Sequence, residues 1–429
     1  MPSGNSARRP RMASVIWGWR LELILALAVY TVLRAATLMG PGGLVLVVGL
    51  AAIATWQLPL SRRALHERLR AARERRRVTA ALWRCQILGR DGRIPAIRRV
   101  RTLPVGRSYL LRLPAGQHAG SLEPRVPEIA AAVGAREARL RQVAGNAAFA
   151  ELVLVTHDVL QHPVVGSPLL EAERTSLWEA IPLGLQEDGP RLALVLPEHN
   201  LLIGGEPGAG KSVVLSSIVA AGALDPSATL TLLDGKQVEL AVWKPIAERC
   251  VGPDLAEATE ALEDLQRTMD HRYQLLLDQG RRKIGPSDQE GLRLVVIDEL
   301  ALYLRGGTKL LRDRFAESLR DLVSRGRAAG VIVVAATQKP SHEVVPTYVR
   351  DLFSYRMAMR CSSPDASDTI LGQGWATRGY SASAIDPAQR GVGYLLAEGG
   401  VPVRFRAPYL SDEDVAVLAH RAEMLRSGL

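Results

Sequence analysis

The chain has 429 residues, of which 47% are hydrophobic and 23% are charged, and its formal net charge is +10. This length and apolar content predict two or three folded domains, and they exclude a disordered chain, a collagen-like repeat and a small disulfide scaffold. The three cysteines, Cys85, Cys250 and Cys361, are too few and too scattered for a disulfide framework or a metal cluster. They indicate that the globular part lies in a reducing cytosol.

The positive charge is concentrated near the N-terminus. Residues 1–107 contain 20 arginines and four acidic residues, whereas the remainder contains 34 basic and 40 acidic residues. A basic isoelectric point is typical of nucleic-acid-binding proteins. Here the uneven distribution makes the total charge weak evidence for a DNA-binding surface.

Two apolar stretches, residues 21–39 and 43–60, lie close together near the N-terminus. Each is long enough to cross ~30 Å of hydrocarbon as a helix. Arginines precede the pair and follow it, so the positive-inside rule keeps both flanks in the cytoplasm. The sequence therefore predicts a transmembrane helical hairpin in the plasma membrane with both termini cytoplasmic. The alternative is a buried helical hairpin of a soluble protein.

Residues 61–84 contain no Gly or Pro and are rich in Ala, Leu and Arg, which predicts a helix that continues the second span. Its arginines would lie near anionic lipid headgroups; a DNA-binding basic helix is the alternative. Short strand-like runs at 109–113 and 152–156 and a helical run at 127–133 then predict a small α+β module.

From residue 192 onward, apolar strands alternate with longer helical segments, which predicts a parallel sheet with crossover helices. The candidate strands are residues 192–196, 200–204, 229–234, 292–297 and 331–336.

The second of these strands leads directly into the sequence GEPGAGKS at residues 205–212, and a helix-compatible run follows it. Its glycines let backbone N–H groups close around phosphate oxygens, and the helix N-terminus adds its dipole. Lys211 would reach the β- and γ-phosphates, and the Ser212 hydroxyl would ligate Mg²⁺. The predicted nucleotide-binding residues are Gly205, Glu206, Pro207, Gly208, Ala209, Gly210, Lys211, Ser212 and Val213.

The apolar run at 294–297 ends in Asp298 and Glu299. Asp298 would hold the Mg²⁺ ion through water, and Glu299 would polarise the attacking water. Such a pair after a strand can also be a helix cap, but the P-loop in the same sheet pattern favours catalysis. Gln338 follows another buried strand, and it is either a γ-phosphate sensor or an ordinary polar residue at a strand end.

Several segments in order resemble the FtsK/SpoIIIE family of membrane-anchored motor ATPases, over about residues 107–415. They read GEPGAGKSV, LLDGKQVELAVW, MDHRYQLL, LVVIDELA, RGRAAGVIVVAATQKPS, SSPDASDTIL and APYLSDEDV. The resemblance implies a RecA-like P-loop domain and a sensor role for Gln338. It also implies that Arg356 is an arginine finger acting on a neighbouring subunit, with Arg360 as second choice, and hence a ring, for which a hexamer is expected.

The chain departs from the translocase pattern at Asp368, where that family has an arginine in a loop facing DNA, and an acidic side chain there would repel phosphate. The resemblance ends near residue 415, so a C-terminal winged-helix module is not expected. The two-span N-terminus resembles the conjugation versions found on actinomycete-type mobile elements.

Together these features predict an α/β fold with five segments. Residues 1–60 form the tail and the two membrane helices, 61–105 the basic stalk, 106–185 the α+β module, 186–415 the ATPase and 416–429 a tail. The predicted activity is ATP-driven translocation of double-stranded DNA by a membrane-bound homo-hexamer, with ATP and Mg²⁺ as cofactors and element-encoded transfer proteins as partners. Candidate DNA-contacting segments are 279–283 and 372–390. A type VII-like protein-secretion ATPase is the alternative, and a non-catalytic membrane scaffold is a weaker one.

Overall fold

A computed structural model describes residues 59–143, 145–162, 166–288, 290–338, 340 and 346–427, together with Tyr30, Arg34 and Leu38. The predicted membrane hairpin lies almost entirely outside the described residues. Among the residues that are described, no helix is long and apolar enough to cross a membrane. The chain divides into two compact units, Met1–His157 and Asp158–Leu429, which are described separately.

The first unit begins with a long helix and continues as a small antiparallel sheet. Its elements are α1 (Pro59–Arg84), β1 (Ala96–Leu103), β2 (Gly106–Arg112), α2 (Ala119–Leu122), α3 (Val126–Val133), β3 (Glu137–Gln142) and β4 (Phe149–Val155). The strand order is β1-β2-β4-β3, and every neighbouring pair is antiparallel. Leu82 of α1 and Ile129 of α3 are fully buried in one core with Leu111 and Leu152 of the sheet.

This unit corrects two predicted boundaries. The segment assigned to a stalk, 61–105, includes β1 and the end of α1, whose Val78 and Leu82 are buried in the core of the small module. The unit also ends at His157, before the predicted boundary at 185, because the strand that follows belongs to the sheet of the second unit. The apolar spacing along α1 was present in the sequence, but the many arginines between those positions obscured it.

The second unit is a large mixed sheet covered by helices. In chain order its strands and helices are β5 (Ile181–Gln186), β6 (Arg191–Leu194), β7 (Leu201–Gly204), α4 (Lys211–Ala223), β8 (Thr229–Leu233), β9 (Arg249–Val251), α5 (Leu255–Asp278), β10 (Arg293–Ile297), α6 (Leu300–Arg305), α7 (Lys309–Arg325), β11 (Val331–Thr337), α8 (Thr347–Arg350), β12 (Tyr355–Met359), α9 (Pro364–Leu371), β13 (Val392–Leu396), β14 (Val403–Arg406) and α10 (Asp412–Ser427).

Within the described residues the sheet order is β6-β5-β14-β13-β12-β7-β11-β10-β8-β9. The six strands from β12 to β9 are parallel, with Leu202 of β7 opposite Arg356 of β12 and Ile297 of β10 opposite Leu233 of β8. The four strands from β6 to β13 add an antiparallel extension. The predicted strand 192–196 therefore exists as β6, but it is an antiparallel edge strand and not part of the parallel core.

Strand alternation supplies both faces of the sheet with apolar side chains. Leu294 and Val296 of β10 are buried in one cluster with residues of α4, whereas Val295 and Ile297 are buried in the other with residues of α5 and α7. A central strand covered on both sides is a continuous apolar run, and that is the pattern of residues 294–297 in β10 and 331–336 in β11. Because these strands are parallel, the carboxyl ends of β7, β8, β10 and β11 lie at one edge of the sheet.

The C-terminal segment is part of this core. Residues 416–429 were predicted to be a tail, but α10 spans Asp412–Ser427 and buries Leu418 and Ala422 in the cluster that contains α4. Arg426 donates hydrogen bonds to the Ala223, Asp225 and Ala228 carbonyls around the end of α4. These contacts make α10 a structural element of the ATPase unit.

Candidate active site

The P-loop lies between β7 and α4, as the sequence predicted. Gly210 has φ 105°, and a Cβ atom there would lie 2.7 Å from the backbone of Gly391, so only glycine fits at this turn. The Gly391 N–H donates to the Ala209 carbonyl at 3.0 Å, and the Gly205 N–H donates to the Thr337 carbonyl at 3.2 Å. These hydrogen bonds tie the loop to the end of β11 and to the residue that precedes β13.

Lys211 is folded back onto this loop. Its Nζ lies 2.6 Å from the Gly205 carbonyl oxygen and 2.8 Å from the Glu206 carbonyl oxygen, and the residue is only 8% exposed. Burial lowers the pKa of Lys211 to about 8, partly offset by the negative charge of Glu299. Among the described residues no carboxylate forms an ion pair with this buried ammonium group, so an anionic phosphate can serve as its partner.

Asp298 stands at the carboxyl end of β10, and its N–H donates to the Leu233 carbonyl of β8. It is 6% exposed, and burial raises the pKa of this carboxyl group to about 6; Glu239, Asp234 and Glu299 act in the same direction, while Lys236 opposes them. Among the described residues, its Oδ2 atom accepts no hydrogen bond. A buried carboxylate oxygen without a donor fits a hard cation such as Mg²⁺, and the hydroxyl of Ser212, the second residue of α4, is an oxygen ligand of the same type.

Glu299 faces the end of β11. Its carboxylate accepts hydrogen bonds from the Thr337 hydroxyl at 3.0 Å and from the Gln338 N–H at 3.1 Å. The structure thus brings Glu299 and Gln338 into direct contact, as expected of a catalytic carboxylate beside a sensor. Thr337 was not singled out in the sequence, although the segment AATQ placed it beside Gln338 at the strand end.

Arg356 lies away from this edge. It is the second residue of β12, opposite Leu202, whereas the P-loop follows Gly204 two positions further along. Burial lowers the pKa of its guanidinium, and Arg350 acts in the same direction. Its Nη1 is 3.7 Å from Asp351 Oδ1, and its Nε has no hydrogen-bond partner among the described residues.

Arg360, the second choice for the finger, contacts the P-loop of its own chain instead. Its Nη1 is 2.6 Å from Glu206 Oε2, and its carbonyl accepts the Glu206 N–H at 2.9 Å. This contact explains the acidic residue within the loop, for which the sequence suggested no partner. Arg360 therefore differs from Arg356, because its guanidinium already pairs with the P-loop of its own chain.

Asp368 does not face solvent. It is 7% exposed, and its carboxylate accepts the Gly374 and Ala376 N–H groups, each at 2.8 Å. It therefore shapes the loop after α9, and the sequence-based interpretation of an exposed charge that repels phosphate is corrected. In the segment 279–283, Arg281 pairs with Asp288 and Lys283 with Glu198, so those two cations are already matched by carboxylates.

Lys236 is the charged residue of this site that sequence reasoning missed. Its Nζ lies 3.5 Å from Asp298 Oδ2, and its charge also acts on Lys211. It occurs in the segment LLDGKQVELAVW, which carried the family resemblance but gave Lys236 no role.

Residues 178–390 match the family model for the FtsK/SpoIIIE family. The chain therefore carries an FtsK/SpoIIIE family domain, which is a P-loop ATPase domain, and this confirms the resemblance found in the sequence.

Relatives described as "DNA translocase FtsK" share 28% identity over 332 residues. For the protein from Streptococcus pyogenes serotype M3 (strain SSI-1), the match covers 67% of this chain and 40% of that protein. For the one from Lactococcus lactis subsp. cremoris (strain MG1363), it covers 67% and 42%. The chain thus aligns with about two fifths of the length of these relatives.

Two solved structures share the fold. The monomer form of the pCW3 conjugation coupling protein TcpA with ATPγS superposes with a TM-score of 0.53 at 17% identity, covering 81% of this chain and 99% of that one. ATPases 2 and 3 of EssC from Geobacillus thermodenitrificans give a TM-score of 0.51 at 16% identity, covering 62% and 52%.

Proposed function

We propose that this protein is a membrane-anchored motor that uses ATP hydrolysis to move double-stranded DNA, in the service of conjugative transfer. The observation that carries the proposal is the complete nucleotide site at one edge of the FtsK/SpoIIIE domain. Lys211 and Asp298 are buried there, and the Gln338 backbone N–H donates to the Glu299 carboxylate. The matched translocases support DNA as the substrate, and the fold shared with TcpA supports a role in conjugation.

ATP binding would begin with Lys211. Its Nζ exchanges the two loop carbonyls for phosphate oxygens, which repays the burial of its charge. Ser212 and Asp298 are the residues that would hold Mg²⁺, and the ion would neutralise charge on the phosphates. Glu299 would accept a proton from the water that attacks the γ-phosphate. Gln338, whose backbone N–H donates to Glu299, would sense the presence of that phosphate.

Arg356 would complete the site of an adjacent subunit. Its position on β12 is displaced from the P-loop of its own chain, and its Nε is free of hydrogen bonds within the described residues. A cation held in this way, with only a 3.7 Å contact to Asp351, is available to a phosphate presented by a neighbour. We therefore propose a homo-hexameric ring, anchored in the plasma membrane by residues 1–60 and working with transfer proteins of a mobile element.

The sequence leaves a protein-secretion ATPase as an alternative, and Asp368 is the residue that supports it. That residue is buried and bonded to its own loop, so it supplies no argument against a DNA substrate.

The test is the ATPase rate of the full chain in detergent or nanodiscs, with duplex DNA, single-stranded DNA or neither. Lys211→Ala is the blank, and mixtures of Lys211→Ala with Arg356→Ala subunits test the ring. We expect duplex DNA to stimulate the rate several-fold and mixed rings to recover part of the activity that each variant lacks alone. A rate indifferent to DNA would overturn DNA as the substrate, and no recovery on mixing would overturn the role of Arg356 in trans.

A further inference from the structure

Lys236 lies on a loop whose backbone is fixed. The buried Asp234 carboxylate at the end of β8 accepts the N–H groups of Lys236 at 3.3 Å, Gln237 at 2.9 Å and Leu240 at 2.9 Å. Gln237 adopts φ 60°, which turns the chain sharply after Lys236. Because β8 pairs with β10 in register, this loop places Lys236 beside the residue that follows β10, which is Asp298.

The contact between Lys236 and Asp298 joins an exposed group to a buried one. The Lys236 side chain is 34% exposed, whereas that of Asp298 is 7% exposed, and Nζ and Oδ2 are 3.5 Å apart. At that distance the pair is electrostatic, and Oδ2 has no hydrogen-bond donor in the described part of the chain. A flexible, partly solvated ammonium group at this distance can leave the carboxylate at little cost.

Carboxylates surround Asp298. Asp234, Glu239 and Glu299 all act on it with negative charge, whereas Lys236 acts on it with positive charge. Lys211 is held by the P-loop carbonyls and is not bonded to Asp298 in this state.

We propose that Lys236 is a built-in counter-cation of Asp298 and gives up its contact with that carboxylate when a divalent cation binds together with the nucleotide. Lys236 thereby competes with the metal for one carboxylate oxygen. The proposal rests on the nucleotide site of the proposed motor and not on the identity of the transported polymer.

The test is equilibrium binding of a fluorescent ADP by the full chain, titrated with Mg²⁺. With Lys236→Met we expect the Mg²⁺ concentration for half-maximal binding to fall about three- to tenfold, because the metal no longer displaces a cation. Lys236→Arg keeps the charge and should behave as the wild type. Lys244→Met is the matched control, since Lys244 is an exposed lysine of the same segment and is not paired with Asp298.

An unchanged or raised Mg²⁺ requirement in Lys236→Met would overturn the proposal. Thermal unfolding in EDTA checks that each variant is folded, and only variants that melt cooperatively are compared. Lys236→Gln is a second neutral variant in case Lys236→Met does not fold. If DNA fails to stimulate the ATPase while the Mg²⁺ shift is found, the proposed function fails and the role of Lys236 stands. If DNA stimulates and the shift is absent, only the role of Lys236 fails.

Discussion

The ATPase unit contains two buried polar clusters with opposite electrostatic outcomes. At the nucleotide site, burial lowers the pKa of Lys211 to about 8 and raises that of Asp298 to about 6, so each charged form is disfavoured. In the second cluster, burial also disfavours ionisation of Asp158, but hydrogen bonds from Arg404 and Gln389 outweigh it and lower the pKa of Asp158 to about 2. The first cluster contains a buried carboxylate oxygen that accepts no hydrogen bond from the described residues, whereas both carboxylate oxygens of the second accept hydrogen bonds.

The difference lies in the partners. Arg404 donates to both Asp158 oxygens at 3.0 Å, Gln389 donates to one of them at 2.7 Å, and Arg404 also bonds the Gln389 oxygen at 3.0 Å. Asp298 has one cation at 3.5 Å and an oxygen without a donor among the described residues. A buried charge that is fully bonded holds a fold together, and one that is left short of partners is available for chemistry.

The largest expected effect is on activity. Lys211→Ala should reduce ATP hydrolysis at least a hundredfold, because the phosphates lose their buried cation. The free energy of unfolding without nucleotide should be unchanged or higher, since the variant no longer buries an ammonium group. ATPase assays and urea unfolding of the same preparation check both parts. A marked loss of stability without nucleotide would show that Lys211 has a structural role comparable to that of Asp158.

Asp158→Asn should produce the opposite pattern. Removing one partner of a buried ion pair leaves Arg404 with the longer 3.9 Å contact to Glu187, and we expect the free energy of unfolding to fall by about 3 kcal/mol. ATPase activity per folded molecule should remain. Glu171→Gln, at an exposed position, is the control and should change stability by less than about 0.5 kcal/mol. Equal destabilisation by the two variants would contradict the role assigned to the cluster.

The two clusters also differ in how far the sequence predicted them. The P-loop, Asp298, Glu299 and the parallel strands were predicted because their chemistry depends on short local motifs with fixed spacing. Asp158 and Arg404 are 246 positions apart, so no local pattern connects them. The same limit applies to Arg360 and Glu206, and to the burial of Asp368, because each depends on strand order and loop packing that a single sequence does not encode locally.

Acid should separate the clusters further. Because the pKa of Asp158 is lowered in the fold, its contribution to stability is present above the ordinary carboxyl pKa near 4 and is lost as the pH falls toward 2. The gap in unfolding free energy between wild type and Asp158→Asn should therefore narrow by about 2 kcal/mol between pH 7 and pH 2.5. Urea unfolding across this range measures it, and a gap that does not change with pH would contradict the ion pair as its source.

The smallest expected effect has the reverse sign. The pKa of Asp298 is raised in the fold, so its contribution to stability is present below pH 4 and is lost as the pH rises through about 6. Asp298→Asn should then stabilise the protein, measured without nucleotide, by about 1 kcal/mol at pH 8, less than the full shift implies because the asparagine amide is also a buried polar group. At pH 4 the two proteins should be equally stable, since Asp298 is protonated there. A variant less stable than the wild type at pH 8 would mean that Lys236 offsets the burial of Asp298 completely. In that case the nucleotide site would be as well satisfied as the Asp158 cluster, and metal binding would have to break a strong ion pair.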